Sequence, residues 1–163
     1  MTLHRSFFET TIRYVGGLLS AYELSGEKFP ILVAKAKEVA DGLINAWVGV
    51  SVTCHRWRHL KLNEHINDQD NDMPYNDIDF NTHKAIPDVS NIAQVGTDTL
   101  EFYTLSKHTG DDTYRQLAEK GVRALINLAA PLPFLPAQVI DPSTGKFADK
   151  YVVSYAFAAN ATV

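Results

Sequence analysis

Glu9 and Arg13 stand one helical turn apart in SFFETTIRYVGGLLSAYELSG, residues 6–26. A positioned carboxyl can act as a general acid or base. The same spacing also describes an ordinary i,i+4 ion pair, worth about 0.2–0.5 kcal/mol. Glu9 has a further structural use, because Ser6-x-x-Glu9 matches a capping box at a helix start. An arginine lowers the pKa of a neighbouring carboxyl and burial raises it, so the two act in opposite directions here. Two adjacent glycines, Gly16 and Gly17, follow inside the same pattern. Each costs a helix about 1 kcal/mol relative to alanine, which points to close approach of another helix or a ligand.

The elements that must position these groups are helical. Phe8, Ile12, Val15, Leu19 and Tyr22 predict one apolar stripe, and Gly26 supplies a stop. A second helix is expected from about Lys28 to Trp47, with Leu32, Ala36, Val39, Leu43 and Trp47 inward, giving an antiparallel helical hairpin. Residues 48–90 show no sustained period and contain Pro74 and Pro87. Helical pattern returns near Ser90, with Val95, Thr99, Phe102 and Leu105 on one face. HTGDD, residues 108–112, reads as a glycine stop followed by an aspartate cap. Another helix is expected from Thr113 to Ala130, with Leu117, Val122, Leu125 and Leu128 apolar, before Pro131 and Pro133. QVIDPSTGKFADKYVVSYAF predicts a β-hairpin around DPSTG.

Composition narrows the function classes. The chain of 163 residues is long enough for one domain, with 45% apolar residues. A net charge of −4 without a basic stripe gives no nucleic-acid footprint. No apolar run reaches the roughly 18 residues of a membrane span. Arg5 leads straight into the helical pattern, not into the apolar stretch of a signal peptide. Cys54 is the only cysteine, so no internal disulfide forms.

Other metal-like and modification patterns are weak. Cys54, His55, His59 and His65 include an H-x3-H pair but lack the spacing of a zinc tetrahedron. DQDNDM, residues 68–73, opens like a calcium loop. It lacks the loop's glycine and closing glutamate, and reads as a solvated acidic segment. Asn160-Ala161-Thr162 is a chance sequon.

FFETTIRYVGGLLSAYELSG, MPYNDI, SNIAQVGTDTLEFYTLSKHTGDDTYRQLAEKG and IDPSTGKFADKYVVSY together resemble glycoside hydrolase family 47, the class I α-1,2-mannosidases. TGKFADKYVV looks more like the secreted fungal members than the animal enzymes. The resemblance implies an all-α fold, part of an (α/α)7 barrel of helical hairpins, here with a C-terminal β-hairpin. It implies inverting hydrolysis of α-1,2-linked mannose from high-mannose N-glycans. It also implies a Ca²⁺ whose protein ligand lies outside this chain, and residence in the endoplasmic reticulum or Golgi, or secretion. By the same resemblance Glu9 is the carboxylic acid acting at the glycosidic oxygen. Arg13, Asn76, Asp77, Gln94 and Glu101 become candidate substrate contacts.

Three departures qualify the resemblance. Gln94 stands where many members carry glutamate, and it can bind a hydroxyl without charge. Asn76 and Asp77 read equally well as a turn capped by its own side chains, and Glu101 as a packed helix residue. About twenty residues within 48–73 match no family block and read as an insertion or an error in the gene sequence. The family's later carboxylates lie beyond Val163, so residues 1–163 are expected to be a partial catalytic domain that does not release mannose alone. The alternatives are a non-catalytic mannose-binding remnant and a helical-repeat interaction module.

Overall fold

A computed structural model describes residues 4–47, 71–129 and 139–148. Most of the proposed insertion, the Cys54/His cluster, Pro131, Pro133 and the sequon lie outside these residues.

The first hairpin begins at strand β1 (His4–Ser6) and runs directly into helix α1 (Phe7–Thr10). A π-helical segment follows (Thr11–Val15), and then α2 (Gly16–Leu24). Gly26, at φ 69°, takes the left-handed conformation that ends the helix. Helix α3 (Pro30–Leu43) starts on a proline, whose missing N–H costs nothing at a first-turn position. Its last turn tightens into a 3₁₀ segment, Ile44–Trp47, so the expected helix to Trp47 changes type at Ile44.

The π segment changes the expected stripe. Phe7, Thr11, Val15 and Leu19 are buried, whereas Phe8, Ile12 and Tyr22 are only partly so. A regular α-helix drifts sideways when read in steps of four. A π turn bonds i to i+5 and is wider, so it keeps a strict step of four in line.

Residues 76–86 hold two short strands where an aperiodic loop was expected. β2 (Asp77–Asp79) and β3 (Lys84–Ile86) join β1 in an antiparallel sheet of order β1-β2-β3. Strands of three residues carry too little alternation to show as a period. β4 (Ser90–Asn91) leads into the short helix α4 (Ile92–Gly96), and α5 (Thr99–Thr109) follows. Gly110 ends α5 at φ 70°. The cap of α6 (Thr113–Asn127) comes from Asp111, whose Oδ1 accepts from the Thr113 amide at 3.1 Å; Asp112 makes no such bond. β5 (Val139–Asp141) and β6 (Lys146–Phe147) form the expected hairpin, and β4 pairs with β5 as its third strand.

The core is aromatic and joins both hairpins. The Phe7 ring meets Trp47 edge-on at 5.1 Å and Phe102 at 6.1 Å. Phe102 in turn meets Tyr114 at 5.7 Å. All four side chains are at most 1% exposed. A second cluster of Met73, Val95 and Ile140 seats the β-ribbon on α4 and α6, through Leu125, Leu128 and Phe147.

The two glycines differ in use. A Cβ on Gly16 would lie 3.2 Å from Glu101 Oε1 and 3.3 Å from its Cγ, so Gly16 is the close approach the sequence suggested. A Cβ on Gly17 would meet nothing within 4 Å. Gly17→Ala is therefore expected to raise stability by about 0.5–1 kcal/mol in urea unfolding. Gly16→Ala is expected to gain nothing, because its methyl presses on the Glu101 side chain.

Candidate functional site

Glu9 sits in the first turn of α1, and that turn is fixed from two sides. Ser6 Oγ accepts from the Glu9 amide at 3.2 Å, as the capping box requires. The reciprocal half of the box is not made. The Glu9 carboxylate instead takes the Arg13 guanidinium. Both side chains keep access to solvent, with 45% exposure for Glu9 and 70% for Arg13. The carboxyl is thus held at a defined place yet remains reachable.

Asn76 supplies the second restraint. Its Oδ1 accepts from Ser6 Oγ at 3.0 Å and from the Phe8 amide at 3.3 Å, and its backbone carbonyl accepts from the Phe7 amide at 2.5 Å. Its Nδ2 donates to Asp77 Oδ1 at 3.1 Å. Two of these bonds satisfy orphan N–H groups at the start of α1, and a third holds the Ser6 hydroxyl. Asn76 and Asp77 therefore lie against the turn that carries Glu9, with Asn76 spending its side chain on holding that turn.

Gln94 is similarly committed. Its Oε1 accepts from the Asn91 amide at 3.0 Å, while Asn91 Oδ1 accepts from the Gln94 amide at 2.9 Å. This is a complete capping box for α4, which packs against α1. The spacing Asn91-x-x-Gln94 is itself the sequence signal for this cap.

Glu101 lies in the first turn of α5, facing Gly16. It is partly buried, its Oε2 is buried without a hydrogen-bond partner, and burial raises its pKa. One turn earlier, at the helix-cap position, Asp98 is wholly buried. Neither of its carboxyl oxygens has a partner. Burial, partly offset by its own backbone amide and reinforced by the charge of Glu101, pushes Asp98 up to about 8. Sequence reasoning missed Asp98. Its only signal was Asp-x-x-Glu at a helix start, which normally marks capping.

Glu9, Arg13, Asn76 and Asp77 are thus gathered around the start of the first helix. Gln94 follows on the adjacent short helix, and Glu101 sits across the glycine seam. Among the described residues, no group of three or more His, Cys, Asp or Glu side chains is placed to hold a metal ion. Among the same residues, no helix is long and apolar enough to cross a membrane.

The chain is similar to known proteins over most of its length. The model of glycosyl hydrolase family 47 matches residues 2–158. The chain is 40% identical over 126 residues to a mannosyl-oligosaccharide 1,2-alpha-mannosidase of Arabidopsis thaliana, covering 74% of this chain and 19% of that protein. It is 33% identical over 162 residues to a mannosyl-oligosaccharide alpha-1,2-mannosidase of Coccidioides posadasii, covering 90% and 27%. The solved alpha-1,2-mannosidase from Trichoderma reesei superposes with a TM-score of 0.68 at 30% identity, covering 90% of this chain and 29% of that one. The chain spans between 19% and 29% of the length of these plant and fungal relatives.

Asp98 has a signature in stability. Its folded-state pKa of about 8 lies above the ordinary 3.8. Its contribution is therefore complete below 3.8 and is lost as pH rises towards 8, because the unfolded chain ionises first. Urea unfolding between pH 4 and 8 should show wild-type stability falling with pH. In Asp98→Asn that fall should shrink by on the order of a few kcal/mol.

Proposed function

Since the chain belongs to glycosyl hydrolase family 47, we propose that it serves the hydrolysis of terminal α-1,2-linked mannose in high-mannose N-glycans, with Glu9 acting at the glycosidic oxygen. The observation that carries this reading is the state of Glu9. Its backbone is pinned by Ser6 while its carboxyl is released from capping and stays half-exposed beside Arg13.

An inverting glycosidase uses two carboxyl groups, one giving a proton to the leaving oxygen and one taking a proton from water. Glu9 fits the first part. Arg13 holds the Glu9 carboxyl by an ion pair. Arg13 also offers donors to sugar hydroxyls. Gln94 and Asn76 serve mainly as struts, and Asp77 and Glu101 are the acidic contacts available to hydroxyl groups. The Ca²⁺ implied by the family would be held by residues other than the described ones, which do not form a Ca²⁺ ligand set. High-mannose substrates would place the protein in the secretory pathway.

The test uses the purified chain and α-1,2-mannobiose, following both binding and free mannose. Arg13→Ala should weaken binding about tenfold, the loss of one charge-assisted hydrogen bond. Glu9→Gln should keep binding and lower any mannose release by about 10²–10⁴-fold. Binding without release would favour the mannose-binding alternative. Absence of binding would overturn both readings.

A further inference from the structure

We propose that Asp98 and Glu101 form a carboxyl pair holding a single proton, with Asp98 as the neutral partner and Glu101 as the charged one.

The geometry comes from two helices lying side by side. Gly16 of α2 faces Glu101 of α5. Seven residues further along each helix, Glu23 Oε1 lies 2.9 Å from His108 Nε2. Equal steps between both contacts make α2 and α5 parallel and in register. One π turn before Gly16, whose amide donates to the Thr11 carbonyl, stands Thr11. One α turn before Glu101 stands Asp98. The register therefore sets Thr11 at the level of Asp98 across the seam.

Three residues on this seam keep buried oxygens without partners: Thr11 Oγ1, both carboxyl oxygens of Asp98, and Glu101 Oε2. Thr11 and Asp98 are both 0% exposed. A buried carboxylate without hydrogen bonds is costly, and two in one place repel as well. The low-energy arrangement keeps one proton on the pair. Asp98 is the fully enclosed member, whereas Glu101 keeps partial access to water at the first turn of α5, where the helix dipole favours an anion.

The remaining charges on the packed elements are engaged elsewhere. Glu9 and Arg13 pair with each other, and Lys107 on α5 with Glu23 on α2. Lys37 on α3 pairs with Asp41 and Asp111. On α6, Arg115 and Arg123 pair with Glu119, and Lys120 with Asp72. Glu101 is the charged group acting on Asp98. Asp98 thus carries the proton and leaves the negative charge on Glu101, beside Gly16. Its value for sugar recognition rests on the reading of Glu101 as a substrate contact; the proton sharing does not.

The experiment is a carboxyl ¹³C NMR titration of the full chain, with Asp98→Asn and Glu101→Gln alongside. In the wild type, one of the two carboxyls should stay protonated through neutral pH. Glu101→Gln should lower the Asp98 midpoint by about one unit or more, because Asp98 then ionises without a charged neighbour, and Asp98→Asn should leave the Glu101 midpoint in place, because Asp98 is already neutral when Glu101 ionises. If Glu101→Gln fails to fold, Glu101→Ala removes the same charge and reads the same shift in Asp98. Two midpoints in the ordinary carboxylate range, or an Asp98 midpoint that ignores removal of the Glu101 charge, would overturn the pair. The titration contains no sugar, so its failure is separate from failure of mannobiose binding.

Discussion

Four rings hold this structure together, and each comes from a different helical segment. Phe7 opens the first helix, Trp47 closes the 3₁₀ turn after α3, Phe102 lies in α5 and Tyr114 in α6. Burying side chains of this size contributes about 1.5–3 kcal/mol each. Edge-on contacts add about 0.5–1.5 kcal/mol per pair. Because the rings touch in a chain, neither hairpin completes the core without the other. The placement of Glu9 follows, since it lies two residues from Phe7 and cannot shift while that ring is wedged between Trp47 and Phe102.

The polar contacts refine what the rings fix. Asn76 takes up Ser6 and the first amides of α1. Sheet β1-β2-β3 carries Asn76 there, because Ser6 pairs with Asp77 in register. On the outer side, Tyr114 donates to Asp41 at 2.5 Å and accepts from Lys37 at 2.6 Å. The same ring that fills the core therefore ties α6 to α3. Solvated ion pairs contribute little by comparison. The seam at Gly16 departs most from this pattern of satisfied groups, although Trp47 Nε1 and Asn71 Nδ2 are also buried without partners. It leaves carboxyl and hydroxyl oxygens buried without partners, the kind of local inconsistency expected where function outweighs stability.

Much of this was legible in the sequence. Both helical hairpins, the stops at Gly26 and Gly110 and the closing β-hairpin follow from period, turn chemistry and caps. The family follows from blocks such as FETTIR. Three things were hidden for physical reasons. β2 and β3 are too short to show alternation. The complete capping box at Asn91 and Gln94 uses the residues that also suggest a ligand contact. Asp98 looks like a helix cap, and only tertiary packing turns it inward.

The π segment has an angular consequence. In an unbroken α-helix, seven residues return almost to the starting direction, so Glu9 and Gly16 would share an azimuth. Five residues wound to the wider turn delay that return by roughly a quarter of a revolution. The half-exposed carboxyl of Glu9 and the glycine seam thus point in different directions from one continuous rod. The surplus residue in Thr11–Val15 acts as a phase shifter, separating the carboxyl of Glu9 from the Glu101 side chain packed against Gly16.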